Sequence, residues 1–412
     1  MDLTRSARKI ALTLFLAMSF GSAALIAAGT VNPIVGAEIS GAPAWAGAPG
    51  SVLTLGTALA ALAIGLMMER VGRRWGMVTG LTLGLIGSGL AFKAVIDRSL
   101  LLFLTGIALT GSSQAALQLG RFAAADVYPP EWRGRAISNV VIGGTVGSIL
   151  GPWLVGPMGL ITAAAGFNEL SGAYLAEFLL FGMVMAGIFV FLRPDPREIG
   201  REVSRLSHEN QREPVESRTL QQIVRTPASI VAISAMVVGQ MVMVMVMGIT
   251  ALHMKNHQHA LTDISLVISA HTFGMFAFSI FSGQLADRWG RGPVILIGLA
   301  TLILSCLLAP LSPDAVPLAL ALFLLGLGWN FSYVGGSSLL ADQLTPGERA
   351  RTQGFNDLMV GLASAVGSFS SGLIFAAQGY GLVGMIGLML TLIPFGLTAW
   401  WLTGRRRLAV PN

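Results

Sequence analysis

Twelve apolar runs, each near the 20 or so residues that a helix needs to cross a bilayer, leave a chain like this very little choice of fold. They lie near 10–31, 44–68, 76–93, 100–124, 135–157 and 171–192, then near 227–251, 261–283, 292–310, 316–340, 351–377 and 380–403. Hydrocarbon offers no partner to a backbone N–H or C=O, so runs of this length must bond internally as helices. Composition excludes the soluble alternative, because 54% of the 412 residues are hydrophobic and only 11% are charged. Soluble domains carry about 25% charged residues. The 51 glycines fit helices that approach one another closely in lipid. Arg5, Arg8 and Lys9 before the first run mimic a signal peptide, but the later runs make it the first span. The sequence predicts an all-α, polytopic membrane protein with a six-helix half at 1–192, a linker at 193–226 and a second six-helix half at 227–412.

The net charge of +6 could suggest a nucleic-acid partner. Its placement argues otherwise, since the basic residues sit in short loops and not on a basic recognition helix. Of the 26 lysines and arginines, only Lys93, Arg98 and Lys255 lie toward the other side, the rest falling in the loops, chain ends and span ends expected on one side. Such asymmetry predicts a multi-pass protein with both termini in the cytoplasm. The 193–226 stretch mixes arginines with Glu198, Glu202, Glu209, Glu213 and Glu216, too polar to span, and reads as a cytoplasmic linker with some surface helix. Cys306, the single cysteine, allows no intrachain disulfide and reads as a small core hydrophobe. There is no phosphate loop, no G-x-S-x-G and no HExxH. No catalytic residue and no permanent cofactor are expected, and any work done across the membrane must run on a gradient.

Two motifs repeat at nearly one offset. Ala125-Asp126-x3-Pro130-x2-Arg133-x-Arg135 recurs as Ala341-Asp342-x3-Pro346-x2-Arg349-x-Arg351, and Gly65-x3-Glu69-Arg70-x-Gly72-Arg73 recurs as Gly283-x3-Asp287-Arg288-x-Gly290-Arg291. Two related halves about an axis along the membrane normal would produce this. Asp126 and Asp342 are expected to pair with the arginines just downstream of them. Glu69, Arg70, Arg73, Asp287, Arg288 and Arg291 are the candidate gate residues, an acid beside arginines being able to pair in one state and release in another. The run Gly283-Gln284-Leu285-Ala286-Asp287-Arg288-Trp289-Gly290-Arg291 resembles the loop signature of the major facilitator superfamily, and the first copy departs from it at Met67 and Glu69. The resemblance covers the whole chain and implies a secondary transporter, a monomer in a bacterial cytoplasmic membrane.

Spans seven and eight carry the unusual chemistry. Met243 and Met247 share one helix face with Met236 below them, while Met241 and Met245 point the other way. Folding spans seven and eight against each other as a hairpin centred near His257 brings Met243 level with His271, with Met275 deeper. Thioethers with an imidazole make a soft ligand set suited to Cu(I), and an ionisable residue at mid-membrane is costly and usually functional. A methionine stripe is also ordinary packing. His253, Met254, His257 and His259 form a candidate capture site at the outer mouth. Met243-x3-Met247 with His271-x3-Met275 looks like the CcoA-like transporters, a copper-import branch whose relatives include RfnT-like proteins labelled riboflavin transporters. That resemblance implies copper as transported substrate. A flavin importer is the alternative, with Gln114, Gln118, Trp329, Asn330 and Tyr333 as lining for an organic solute. The third reading is a proton-coupled exporter, from Gly147-x3-Gly151-Pro152 in span five. Glu177 in span six reads as a proton carrier or as the partner of a neighbouring helix.

Overall fold

The computed structural model describes residues 3–206 and 218–408. Glu209, Glu213 and Glu216 of the linker lie outside the described residues. The chain divides into two units, Met1–Gly41 with Ala48–Gln211, and Ala42–Gly47 with Arg212–Asn412.

The first unit contains α1 (Leu3–Ser40), α2 (Ala48–Arg70), α3 (Arg73–Asp97), α4 (Leu100–Asp126), α5 (Pro130–Leu150), α6 (Val155–Ala164), α7 (Ser171–Phe191) and α8 (Pro196–Leu206). A 3₁₀ turn, Gly151–Leu154, joins α5 and α6 into one span. Local chemistry marks the helix ends. Ser99 accepts from the Leu102 N–H at the start of α4. Gly72 takes a φ of 120° before α3, a conformation that only glycine adopts cheaply. The Asp195 carboxylate then accepts from the Arg73 and Arg74 N–H groups at 3.1 and 3.0 Å, placing a negative charge at the positive end of α3. Gly147 and Gly151 lie against the α1 backbone, where a Cβ on Gly147 would sit 1.8 Å from the Ser19 carbonyl oxygen. Close packing therefore accounts for the glycines of span five.

The second unit contains α9 (Leu220–Val224), α10 (Pro227–Asn256), α11 (Leu261–Phe276), α12 (Ser279–Trp289), α13 (Arg291–Leu308), α14 (Ala315–Asp342) and α15 (Pro346–Leu408). Thr226 caps α10 by accepting from Ser229 N–H, with Pro227 at the first helical position. The apolar part of α15 runs from Arg351 to Gly404, 54 residues, or about 80 Å at 1.5 Å per residue. That is far more than one bilayer. Non-helical Gln378 and Gly379, the latter at φ 72°, divide it into two spans. Among the described residues, eleven long apolar helices, the last one double, give the twelve expected spans. Helices α10 and α11 both lie along α14 and make little contact with each other. This corrects the hairpin expectation, in which spans seven and eight faced each other directly.

Candidate functional site

Span eight is broken in its middle. Helix α11 ends at Phe276 and α12 begins at Ser279, which leaves the Met275 carbonyl without its usual helical partner. The Asn330 side chain of α14 replaces that partner, its Nδ2 donating to Met275 O at 2.6 Å and to Ser279 Oγ at 2.8 Å. Asn330 is buried, and its Oδ1 has no hydrogen-bond partner. Four residues earlier, Gly326 presses on α11 so closely that a Cβ there would fall 2.2 Å from the His271 carbonyl oxygen.

His271 lies in the same α11–α14 seam, fully buried. Its Nδ1 is 2.9 Å from the Leu322 carbonyl oxygen. A carbonyl can only accept, so Nδ1 carries the proton and Nε2 presents a lone pair. That Nε2 is buried and without a partner. Met243 is buried on α10, whereas Met247 and Met275 are half-buried. Met236 packs against Gly336, with its sulfur 3.8 Å from Asn356 Nδ2. Met241 and Met245 meet Gly367 and Gly387 of α15.

Beside this seam stands a half-buried aromatic group. The Trp329 and Tyr333 rings stack at 4.9 Å with 26° between their planes, and Phe276 meets Trp329 edge-on at 6.4 Å. Trp329 Nε1 donates to Gln240 Oε1 at 2.7 Å. Gln240 was missed in the sequence, although a lone amide within the apolar run of span seven is itself a signal. It shares the helix face of Met236, Met243 and Met247. Gln114 and Gln118 belong to the first unit. Thr57 Oγ1 donates to Gln114 Oε1 at 3.1 Å, and Gln118 is exposed.

The candidate outer site does not converge. His253 stacks on Tyr380 at 4.5 Å, and the His257 ring lies 4.5 Å from it, with His257 Nδ1 against His253 O. His259 instead turns to Asp263 at 3.7 Å, and Met254 is buried in the core. Among the described residues, no three His, Cys, Asp or Glu side chains form a group able to hold a metal.

At the opposite helix ends the two repeated motifs meet each other. Arg73 Nε pairs with Asp126 at 2.8 Å, and Arg291 Nε pairs with Asp342 at 3.1 Å. Each aspartate thus binds the arginine of the other repeated motif, not the arginines just downstream as expected. Arg291 also binds Asp287, whereas Glu69 is exposed and pairs with none of the described residues. The Arg70 carbonyl accepts from Arg197, and Arg288 is exposed. Gly290 takes a φ of 87° before α13, matching Gly72 before α3. The linker re-enters through Arg218, whose Nε and Nη2 donate to Glu348 at 3.0 and 2.9 Å. The Arg218 guanidinium, with the Thr345 and Arg218 N–H groups, holds the Glu348 carboxyl well below the usual carboxylate range. In the first unit, Glu177 is buried with an unpaired Oε2, and nearby Tyr174 donates to Asn32 at 2.9 Å.

The sequence model of the Major Facilitator Superfamily matches residues 11–250 and 231–412. The MFS-type transporter YdeG of Bacillus subtilis, itself uncharacterized, is 34% identical over 92% of this chain and 89% of its own. The riboflavin transporter RfnT of Brucella anthropi is 30% identical over 92% of each. Among solved structures, a D-xylose–proton symporter superposes with a TM-score of 0.70 at 15% identity, covering 94% of this chain and 97% of its own. At that identity the likeness is one of fold. Twelve helical spans, paired loop motifs and full-length relatives make this chain a member of the Major Facilitator Superfamily, a membrane transporter and not an enzyme.

Proposed function

We propose that the protein imports a flat heteroaromatic solute of the riboflavin class into the cytoplasm, with both termini on the cytoplasmic side. The observation that carries this reading is the half-buried Trp329–Tyr333 stack, held in place by Gln240. A planar ring system binds by stacking on such faces, and each aromatic contact is worth roughly 1–3 kcal/mol by analogy with nucleobases. Tryptophan Nε1 occupies Gln240 Oε1, which leaves the amide NH₂ to donate to a ring carbonyl or ribityl hydroxyl. The riboflavin transporter among the full-length relatives supports the same class.

Copper is the second reading, and a specific observation favours it. The buried, unpartnered Nε2 of His271 is the kind of nitrogen that ligates a soft metal, its tautomer already set by the Leu322 carbonyl. Met275, one turn further along the same helix, would add a thioether, and copper would be cargo and not a resident cofactor. Uptake into proteoliposomes separates the two, with riboflavin and copper offered separately to one preparation. Riboflavin accumulation that falls about 5- to 150-fold in Trp329→Ala, the range of one lost stacking contact, is the expected result. Copper accumulation without riboflavin accumulation, abolished by His271→Ala, would transfer the site to the metal.

A further inference from the structure

Helix α4 carries one charged side chain before the aspartate that ends it, and that side chain is Arg121. Its Nε is buried without a hydrogen-bond partner. Asp126, the carboxylate closest in sequence, lies about 140° round the helix and is bound to Arg73. What Arg121 touches is the ring of Phe122, its guanidinium carbon 4.9 Å from the ring centre. A guanidinium carries five N–H donors and no acceptor. This one is left facing a need for an oxyanion that the described residues do not supply.

Two amides stand in line with it. Gln114, Gln118 and Arg121 follow one another at i, i+4 and i+7, which puts them on one face of α4. Gln114 is half-buried, held from α2 by Thr57 Oγ1 on its Oε1 at 3.1 Å, which leaves its NH₂ group open. Gln118 is exposed. The faces of α4 toward α2 and α3 are closed by tight packing. A Cβ on Gly111 would fall 2.6 Å from the Thr57 backbone nitrogen, and one on Gly80 would fall 2.8 Å from the Ser112 carbonyl oxygen. An arginine near a helix end can simply snorkel to the headgroups. That leaves unexplained two amides on the same face, reaching about 10 Å further along the helix, where lipid tails offer them no partner.

We propose that Arg121, Gln118 and Gln114 form a subsite in the first unit for an organic anion. The carboxylate or phosphate of that solute accepts from the parallel N–H groups of the guanidinium, the buried Nε among them. Its hydroxyl or carbonyl groups run along the two amides. The inference rests on the first unit alone and is independent of the flavin reading.

Maleimide labelling of Phe122→Cys in a Cys306→Ser background tests it, since Phe122 is exposed and adjoins the guanidinium. The purified full chain is labelled in detergent at constant ionic strength, with glycerol 3-phosphate, glycerate or glycerol as the probe. These three share hydroxyls and differ in the anionic group. The two anions should slow labelling, the more potent one naming the group, and glycerol should not. Adding Arg121→Gln should raise the concentration for half-protection roughly 10- to 150-fold, the worth of one hydrogen bond to a charged group. Gln118→Leu should raise it a few-fold, and Arg121→Lys should keep part of the protection. Monodisperse elution establishes that each variant is folded. Labelling that neither anion slows would overturn the proposal, as would equal protection by glycerol or undiminished protection in Arg121→Gln. Labelling slowed by phosphatidylglycerol in the micelle but by neither soluble anion would also overturn it, giving Arg121 to a lipid headgroup.

Discussion

Trp329 does two jobs that single substitutions can separate. Its ring face stacks on Tyr333, while its Nε1 is tied to Gln240. Trp329→Phe keeps a face and loses the tie, so riboflavin uptake should fall only a few-fold, in keeping with about 1 kcal/mol for a neutral hydrogen bond. Gln240→Leu should match it in size, and the double variant should be no worse than either alone, because both remove the same bond. Initial uptake rates in proteoliposomes give that cycle directly, and additive losses would mean that Gln240 touches the solute by itself. Trp329, Asn330 and Tyr333 were legible in the sequence because polar and aromatic residues stand out inside a span. Gln240 was hidden by the methionines around it. The orphaned Nε2 of His271 could not be read at all, since it depends on Leu322, 51 residues away.

At the scale of elements, length and hydropathy were enough to find the spans, but not their ends or neighbours. Helix α1 runs on to Ser40, well past the end expected near 31. The break in span eight falls at Ala277 and Phe278, with no proline or glycine to announce it. Its compensation comes from Asn330 on another helix. Asn330→Leu should therefore destabilise the protein by about 1–3 kcal/mol, the cost of leaving a buried carbonyl unpaired, and thermal unfolding would measure it. Asn330→Asp, which keeps the shape but not the donor, should be no better. The linker carries a second element-scale prediction. Glu348 titrates below its unfolded value near 4.3, because Arg218 binds the ionised form. A depressed carboxyl contributes stability above the unfolded pKa and loses it as pH falls toward the folded one. Glu348→Gln should thus unfold at a lower temperature than wild type at neutral pH, with the gap closing as the pH drops below about 4. A gap that stays constant with pH would remove the ion pair from the explanation.

For the molecule as a whole, the duplication was legible because two motifs recur at nearly the same spacing. Their cross-pairing was not legible, since it links loops far apart in sequence. Within each unit the arginine after the second span binds the aspartate that ends the fourth, Arg73 to Asp126 and Arg291 to Asp342. The two copies differ in the extra acid. Asp287 shares Arg291 with Asp342, whereas Glu69 leaves Arg73 to Asp126. Secondary transporters of this kind expose their site alternately to the two sides, and pairs of this sort can weight one state. Asp126→Asn should then alter turnover more than Glu69→Gln, because it removes the carboxylate that Arg73 binds with its side chain among the described residues. In the second unit Asp287→Asn and Asp342→Asn should each be milder than the pair of changes together, because either acid alone still holds Arg291. These arginines and acids are partly exposed, so each pair is worth about 0.2–1 kcal/mol, enough to move a two-state ratio roughly 1.5- to 5-fold. Labelling of a single cysteine at a helix end, in a Cys306→Ser background, would read that ratio alongside turnover. Equal effects of Glu69→Gln and Asp126→Asn would show that the charge of the loop matters and its pairing does not.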